Sequence, residues 1–337
     1  MDGFSAKVLA WYRGHGRHDL PWQGADPYAR WLAEVMLQQT TVTAVVPYYR
    51  RFMSAFPSVQ ALARASLDDV LALWSGLGYY ARARNLHAAA RLLAMRDAGD
   101  FPRTADEWAA LPGIGASTAA AIVAFAFGVP AAILDANVRR VLSRYHGVRG
   151  PDAQAERLLW AHARAHTPMH DVAAYTQAIM DLGALLCRKA PECARCPLAA
   201  DCAFDGKDAP RQRPPKPERA VYMAVIAEPG RGVLLVRRPP RGVWGGLWSL
   251  PESTALAALP AVVEGLGFEG ALGPSYPAVR HVFTHFRLSI TPVRVACLSR
   301  GRGLAEGCDM MWYKGGTPGP GMPAPVRRLV NQFLEAS

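Results

Sequence analysis

Two carboxyl groups in the N-terminal half of the sequence could carry out acid–base chemistry. Glu34 lies in WLAEVMLQQT beside apolar residues such as Trp31 and Val35, and poor solvation there should raise its pKa. Asp135 stands where a helix N-cap belongs, which should keep its carboxylate ionised. One proton donor and one anion suit the cleavage of a glycosidic bond. The sequence equally allows Glu34 to be an exposed helix charge and Asp135 an ordinary cap.

Four of the six cysteines fall within sixteen positions, in the order C-x5-C-x2-C-x5-C: Cys187, Cys193, Cys196 and Cys202. Thiols this crowded indicate metal ligands rather than disulfides in a cytosolic chain. Zinc and a [4Fe–4S] cluster both accept four thiolates. The spacing lacks the paired CxxC…CxxC of a zinc ribbon, which favours the iron–sulfur cluster.

A glycine-rich turn, LPGIG at residues 111–115, precedes a predicted helix from Ala116 to Phe125. Gly113 and Gly115 would let the backbone approach a partner closely, and the first amides of a helix have no partner within it. Such a helix start binds anions, and a DNA phosphate is the anion that we expect here. The alternative is an ordinary capped helix.

The overall composition predicts a two-domain protein with an anionic partner. The chain has 337 residues and a formal charge of +11, which favours nucleic acid as that partner. No run approaches eighteen apolar residues, and the N-terminus lacks the apolar core of a secretory signal. We therefore expect an intracellular protein without membrane association.

The pattern of apolar residues changes along the chain. Up to residue 204 it predicts only short helices, at 26–39, 42–52, 67–73, 81–95 and 175–186. Residues 205–219 are a predicted connector, because 207–219 contain four prolines and five basic residues. From residue 220 the pattern predicts a mixed α and β domain, with strands at 222–226, 233–236 and 286–295 and a helix at 256–266.

Several long motifs resemble one enzyme superfamily. The hairpin LPGIGASTA, the segment LDANVRRV and the cysteine window resemble the helix-hairpin-helix DNA glycosylases of the endonuclease III superfamily. WLAEVMLQQTTV, GLGYYARARNLHAAA and RHVFTHFRL are similar to its MutY branch, the adenine DNA glycosylases. The resemblance implies a multidomain fold. Residues 1–204 would be an all-α helix-hairpin-helix glycosylase domain, with the motif at about 108–125 and an iron–sulfur loop at 187–202. Residues 220–337 would be a C-terminal α+β Nudix-like (MutT-like) domain.

The same resemblance assigns roles to the two carboxyl groups. It implies that Glu34 protonates the adenine ring and then helps to activate water. Asp135 would stabilise the oxocarbenium-like sugar or trap it covalently, and Asn137 would support that site. Ser117 occupies the position at which strand-cutting relatives carry a lysine that attacks the sugar as an amine. A serine hydroxyl cannot form a Schiff base, so we expect a monofunctional enzyme that leaves an abasic site.

The resemblance also implies contacts with a flipped base. Gln39 and Tyr79 match residues that wedge into the duplex as adenine is turned out, and Leu37 and Gln177 match positions of the adenine pocket. From the residues alone, Leu37 and Tyr79 could equally be core, and Gln39 and Gln177 ordinary helix polars.

The C-terminal domain resembles the module with which MutY enzymes recognise 8-oxoguanine opposite the adenine. Against the Nudix hydrolase box, Glu252 and Glu264 are in register, but the Arg-Glu pair and the second glutamate are replaced by Pro260, Ala261 and Gly265. A pyrophosphatase needs those carboxylates for its metals. We therefore expect a recognition module, with the oxidised base contacted by Phe283, Thr284 and His285. His285 could alternatively be an interior histidine.

The cysteine window departs from the family spacing by one residue, since Cys187 and Cys193 enclose five residues rather than six. All four ligands are kept, so the resemblance still implies a [4Fe–4S] cluster. Its expected task is to hold a basic loop against DNA phosphate, with Arg188, Lys189 and Arg195.

The sequence thus predicts a monomeric base-excision repair enzyme, cytoplasmic and associated with the bacterial nucleoid. Its expected partner is double-stranded DNA containing A:8-oxoguanine or A:G mispairs. Two alternatives stay open. One is an endonuclease III-like pyrimidine-damage glycosylase/lyase, and the other is a non-catalytic iron–sulfur DNA-binding protein.

Overall fold

The chain divides into two compact units in the computed structural model, which describes residues 2–24, 26–97, 100–208, 215–300, 309–316 and 319–335. The helical unit comprises Met1–Ala65 and Arg84–Arg211, and the mixed unit comprises Ser66–Ala83 and Gln212–Ser337. Cys308 and the middle of the basic connector (209–214) lie outside the described residues.

The described residues up to 208 form helices and no strand, as the sequence predicted. The helices are α1 (Gly3–His15), α2 (Pro27–Leu37), α3 (Val42–Ala55), α4 (Val59–Arg64), α5 (Leu67–Trp74), α6 (Ala81–Leu93), α7 (Ala105–Ala109), α8 (Ala116–Phe127), α9 (Ala136–Tyr145), α10 (Ala153–His166) and α11 (Val172–Leu185). Two short 3₁₀ turns, Cys193–Arg195 and Ala199–Asp201, lie within the cysteine window.

The core of the helical unit that supports the site lies between α1, α8, α9 and α11. Its buried side chains include Val8, Leu142 and Ile179. α11 approaches α9 closely at Gly183, where an added Cβ would lie 2.7 Å from Asn137 Cβ and 2.9 Å from its carbonyl oxygen. Small residues at such a crossing let two backbones pack together.

The segment 66–83 packs on the C-terminal half of the chain, although the sequence pattern groups it with the N-terminal helices. Asp68 forms an ion pair with Arg237 of the C-terminal half. The Ser75 hydroxyl donates a 2.8 Å hydrogen bond to the carbonyl oxygen of Met322. Helical periodicity reports a helix but not the surface on which it packs, so this grouping was not readable from the sequence.

The mixed unit is built on one eight-stranded sheet. Its strands are β1 (Glu218–Glu228), β2 (Gly232–Arg237), β3 (Trp248–Ser249), β4 (Glu252–Ser253), β5 (Phe268–Ser275), β6 (Val279–Val282), β7 (Arg287–Arg300) and β8 (Met310–Tyr313). The main path runs β3-β2-β1-β7-β5, with β4 on β1, β6 on β7 and β8 on β2. β1 pairs parallel with β7 and antiparallel with β2. Its helices are α12 (Leu259–Gly265) and α13 (Ala324–Glu335).

Several boundaries in the mixed unit differ from the predicted ones. The helix predicted at 256–266 begins as a 3₁₀ turn and becomes α-helical only at Leu259, with Pro260 in its first turn. Proline suits that position because the missing N–H has no partner there. β1 begins at Glu218, so the connector ends at residue 217 rather than at the predicted residue 219. Among the described residues, no helix is long and apolar enough to cross a membrane.

Candidate active site and DNA interface

Glu34 lies on α2, whose start is fixed by Asp26 as N-cap and by Pro27 in the first turn. The side chain faces the interior and is only 8% exposed. Burial raises the pKa of Glu34 above its ordinary value, and the charge of Asp135 raises it further. The predicted direction is therefore confirmed, and the alternative of an exposed helix charge is wrong.

Arg30 is a partner of Glu34 that the sequence analysis missed. Its Nη2 lies 3.0 Å from Glu34 Oε1, and both side chains are buried. The guanidinium also lies 3.1 Å from the centre of the Phe125 ring. Its positive charge lowers the pKa of Glu34 against the larger effect of burial. The i,i+4 spacing of Arg30 and Glu34 was the signal available in the sequence.

Asp135 is the N-cap of α9, as predicted, and its Oδ1 accepts hydrogen bonds from Asn137 N at 3.0 Å and Val138 N at 2.7 Å. Burial raises the pKa of Asp135, while these two hydrogen bonds and the charge of Arg140 lower it. The net shift is upward. Burial therefore opposes the ionised form of Asp135 that the cap favours, and the cap rule alone does not include this effect.

The two carboxyl groups interact electrostatically across α2 and α9, since the charge of Asp135 is one cause of the raised pKa of Glu34. Two neighbouring carboxylates resist being ionised together, so the pair readily keeps one proton. Asp135 has two backbone donors that stabilise its anion. Glu34 is desolvated, so of the two carboxyl groups it is the one that we expect to be protonated.

Ser117 connects the glycine hairpin to the Asp135 turn. Its Oγ accepts a 3.0 Å hydrogen bond from the backbone amide of Leu134, the residue immediately before Asp135. The hydroxyl at this position therefore has a structural partner next to the candidate catalytic aspartate.

The hairpin requires a glycine at position 113, whereas position 115 has space for a side chain. Gly113 has φ +77, and an added Cβ would lie 2.7 Å from Asn85 Cβ. Gly115 is the N-cap of α8, makes no side-chain cap, and has open space where a Cβ would lie. Both glycines are exposed. The first amides of α8 are thus left without a side-chain cap, as an anion site requires.

The end of α2 presents two predicted DNA-contact residues beside this hairpin. Leu37 is the last residue of α2 and is half-buried, so it is not a core residue. Gln38 Nε2 lies 3.3 Å from the Gly113 carbonyl oxygen and 3.2 Å from Thr118 Oγ1. Gln39 follows in the left-handed region with φ +58 and is exposed. The α2 terminus and the hairpin are therefore held together.

Gln177 lies on α11 and is buried. Its Nε2 donates a 2.8 Å hydrogen bond to Asp181 Oδ1. Asp181 is itself fully buried and accepts a 2.7 Å hydrogen bond from the Arg17 backbone amide. This network fixes the orientation of the Gln177 amide.

A chain of hydrogen bonds leads from Asn137 to the cysteine window. Arg140 Nη2 donates to Asn137 Oδ1 at 2.8 Å and to the Gly183 carbonyl oxygen at 2.6 Å. Its Nε donates to the Cys187 carbonyl oxygen at 2.6 Å. Asn137, two residues after the Asp135 cap, is thus linked to the first cysteine through one guanidinium.

The four cysteines line one cavity of about 90 Å³ in the helical unit, together with residues of α9 and α11. Arg144 is buried beside them, and its Nη1 donates to Cys187 Sγ at 3.3 Å and to the Arg188 carbonyl oxygen at 2.7 Å. Burial raises the pKa of the Cys196 and Cys202 thiols, and the charges of the other cysteines raise it further.

The loop basic residues are partly neutralised. Glu192 pairs with Arg188 and lies 2.7 Å from Arg195 Nη1. Arg188, Lys189 and Arg195 are nevertheless all exposed. Two of the three predicted phosphate-binding cations therefore share one carboxylate.

In the mixed unit, Tyr79 has φ +49 and is 42% exposed. The alternative of a core tyrosine is therefore wrong. The described residues contain four non-glycine positions with positive φ, and two of them are the predicted wedge residues Gln39 and Tyr79. Such strain costs on the order of 1–3 kcal/mol and concentrates at ligand-contact positions.

The tip of the β6–β7 hairpin carries the predicted lesion-contact residues. Phe283 N donates to the Phe286 carbonyl oxygen at 2.9 Å, which closes the turn. Thr284 and His285 are both exposed at this tip, so the alternative of an interior histidine is wrong. Lys216 Nζ donates to the Phe283 carbonyl oxygen at 2.6 Å, which ties the base of the tip to the start of β1.

The remaining carboxylates of the Nudix box do not form a metal site. Glu252 pairs with Arg238, and Glu264 is exposed on α12. Among the described residues, no group of three carboxylates lies close enough to hold one metal ion. This agrees with the missing acidic residues of the box.

Comparisons with known proteins match both units. The family model described as HhH-GPD superfamily base excision DNA repair protein matches residues 32–164. The NUDIX domain model matches residues 221–332. Among solved structures, a thermostable thymine-DNA glycosylase superposes with a TM-score of 0.54 and 28% identity, covering 60% of this chain and 94% of that one.

Curated relatives extend the match over nearly the whole chain. The adenine DNA glycosylase of Buchnera aphidicola subsp. Baizongia pistaciae is 33% identical, covering 98% of this chain and 96% of the relative. The adenine DNA glycosylase of Mus musculus is 33% identical, covering 86% of this chain and 70% of the relative. With a buried glutamate, a half-buried helix-capping aspartate, a glycine hairpin and a Nudix-like unit in the matched regions, this chain belongs to the adenine DNA glycosylase family of the HhH-GPD superfamily.

Proposed function

We propose that this chain removes adenine mispaired with 8-oxoguanine, and also adenine opposite guanine, from double-stranded DNA and leaves an abasic site. The observation that carries the proposal is the coupling of Glu34 and Asp135, two carboxyl groups with upward-shifted pKa values, one of which is held by a helix start. This pair lies in the same unit as a hairpin suited to bind phosphate.

The chemistry follows from the different surroundings of the two groups. Glu34 is desolvated and holds a proton that it can donate to the adenine ring as the glycosidic bond breaks. Asp135 accepts two backbone hydrogen bonds, and its anion stabilises the positive charge that develops on the sugar. Glu34, once deprotonated, can accept a proton from the attacking water. Asn137 supports the arrangement through Arg140.

A monofunctional reaction is expected from Ser117. Its hydroxyl is engaged by the Leu134 amide and cannot form an imine with the sugar. No borohydride-trapped complex should therefore form through this position.

A [4Fe–4S] cluster fits the four cysteines. Four thiols converge on one cavity, and burial together with mutual repulsion raises the pKa of two of them, so a cationic group is needed to hold them as thiolates. Cys187, Cys193, Cys196 and Cys202 would hold the cluster. The cluster would supply no step of the glycosidic chemistry and would fix the loop against the DNA backbone.

The spacing of the sulfur atoms supports a cluster over a single zinc ion. One zinc ion binds each sulfur at about 2.3 Å and so holds the four sulfurs about 3.8 Å apart. Among the described residues, no three of these sulfur atoms all lie within 4.8 Å of one another. A wider, multinuclear group matches that spread better.

The DNA contacts follow from the exposed and strained positions. Gln39 and Tyr79 would enter the duplex as adenine is extruded, and Leu37 and Gln177 would line its pocket. Phe283, Thr284 and His285, at the exposed β6–β7 tip, would contact the oxidised guanine. A location at the bacterial nucleoid and a monomeric state are part of this proposal.

Glycosylase assays on matched duplexes test the proposal. We expect excision of adenine opposite 8-oxoguanine and guanine, no excision from A:T, and strand breaks only after alkali. Excision of oxidised pyrimidines with borohydride trapping would instead support an endonuclease III-like lyase. Tight duplex binding without any excision would support a non-catalytic DNA-binding protein.

A further inference from the structure

Three histidines meet at the C-terminal ends of α9 and α10, away from the cysteine window in sequence. His146 is the C-cap residue of α9, and His162 and His166 stand four residues apart on α10. One ring nitrogen from each lies within 4.8 Å of the others. His146 Nε2 and His166 Nε2 are 2.8 Å apart. All three side chains are half-buried.

We propose that His146, His162 and His166 form a second metal site that binds one divalent transition-metal ion such as Zn²⁺. Imidazole nitrogen is a preferred ligand of zinc, and the i,i+4 spacing places two imidazoles on one helix face. Three imidazoles leave one coordination position for water or another oxygen ligand. Neither the cysteine window nor the carboxyl pair takes part in the site.

Zinc binding would require small movements of the histidine side chains. Zinc at about 2.0–2.1 Å from each nitrogen separates tetrahedral ligands by about 3.3 Å. The His146 and His166 nitrogens must therefore move apart by about half an ångström. His162 stacks on His146 with ring centres 3.5 Å apart and must rotate about its terminal torsion, which is a soft torsion.

Asp2 provides a second, independent indication of a ligand set. Its Oδ2 accepts a hydrogen bond from His166 Nδ1, while its Oδ1 accepts from Ser5 N at 2.8 Å and caps α1. A carboxylate on one ring nitrogen fixes the tautomer and directs the other nitrogen to a metal. Phe4 stacks on His166 with ring centres 4.0 Å apart and holds the ring in that orientation.

The chemistry of the cluster suits a cation. Imidazoles this close repel one another when protonated, and they bind a metal only when neutral. A bound ion would connect α9 to α10 and, through Asp2, to the start of α1, at the end of α9 opposite the Asp135 cap.

Zinc titration of the full chain with its cysteine window loaded tests the site. The variants are His162→Phe and His166→Phe, which keep the aromatic stacking and remove one ligand nitrogen. Asp2→Asn probes the orienting carboxylate, and His170→Phe is the matched control because His170 is exposed and outside the cluster. Calorimetry gives stoichiometry and affinity, thermal unfolding gives the stabilisation, and visible absorbance reports the cysteine window.

We expect one zinc ion per wild-type chain and per His170→Phe chain, with an increase in Tm and no change in visible absorbance. Each ligand variant should weaken binding at least about tenfold, and Asp2→Asn by about 10- to 100-fold. Far-UV circular dichroism should show the variants folded. The site would be overturned if the wild type bound no stoichiometric zinc. It would also be overturned if the His162→Phe or His166→Phe variant bound zinc as tightly as the wild type.

Discussion

The Ser117 hydroxyl accepts a 3.0 Å hydrogen bond from the Leu134 amide, which connects the first turn of α8 to the residue before Asp135. Asp135 caps α9 with its carboxylate, and the charge of the same carboxylate raises the pKa of Glu34. The hairpin that would hold a DNA phosphate and the anion that would stabilise the sugar are therefore one connected structure. A shift of the hairpin should move the carboxylate.

Ser117→Ala should weaken both the fold and the chemistry. Leu134 is buried, and loss of its acceptor leaves an unpaired amide at a cost of about 1–3 kcal/mol. We expect a lower free energy of unfolding and slower single-turnover excision. Ser117→Thr keeps the hydroxyl and serves as the control. Equal excision rates for the Ala and Thr variants would show that this hydrogen bond does not position Asp135 for catalysis.

Arg30→Met should move the pH dependence of excision. The proposed mechanism needs protonated Glu34, so it predicts that the rate falls as pH rises through the pKa of Glu34. The charge of Arg30 lowers that pKa, and its removal should raise it. The falling limb should therefore move to higher pH. Single-turnover rates across a pH series measure the shift.

Arg103→Met is the matched control for that experiment. Arg103 also stacks on a phenylalanine of α8, with its guanidinium 5.3 Å from the centre of the Phe127 ring. It has no ion pair with Glu34 among those described. The same pH shift in both variants, or no shift in Arg30→Met, would contradict a direct effect on Glu34.

Gly183→Ala should destabilise the helical unit although alanine favours helices. The new Cβ would lie 2.9 Å from the Asn137 carbonyl oxygen, which is backbone and cannot rotate away. Overpacking of about 1–3 kcal/mol should exceed a helix-propensity gain of at most about 1 kcal/mol. Gly14→Ala, where a Cβ meets nothing within 4 Å, should instead be neutral or stabilising. Denaturant unfolding compares the two, and an equally stable Gly183→Ala variant would refute the close packing of α9 on α11.

His285→Ala should reduce the preference for 8-oxoguanine and leave basal excision intact. His285 is exposed at the β6–β7 tip, so its loss creates no cavity. We expect the ratio of excision rates on A:8-oxoguanine and A:G to fall, mainly through slower reaction at the lesion. Val282→Ala, an exposed change on the neighbouring strand, is the control. An unchanged ratio in His285→Ala would remove this residue from lesion recognition.

The sequence predicted the elements that position the site because local signals are strong there. Asp26 and Pro27 mark the start of α2, and Asp135 marks the start of α9. The apolar neighbours of Glu34 also predicted the direction of its pKa shift. The exposure of Gln39 and His285 could be predicted only through the family resemblance, because polar residues in loops have no periodic signal.

Other features depend on tertiary packing and were not readable. The desolvation of Asp135 depends on tertiary packing, whereas the N-cap rule describes only its own helix. The packing of residues 66–83 on the C-terminal half rests on contacts such as Asp68 with Arg237, separated by 169 residues. The histidine cluster joins the C-cap of α9 to two residues of α10, and only the pair His162 and His166 has a spacing that could have been noticed.

Single-turnover excision by Glu34→Gln and Asp135→Asn on an A:8-oxoguanine duplex tests the central claim most directly. Both changes keep shape and hydrogen-bonding capacity, and asparagine still caps helices, so both variants should fold and bind the duplex. Loss of the proton donor or of the anion should slow excision by a factor on the order of 10² or more. Near-wild-type excision by either variant, with duplex binding preserved, would contradict the account.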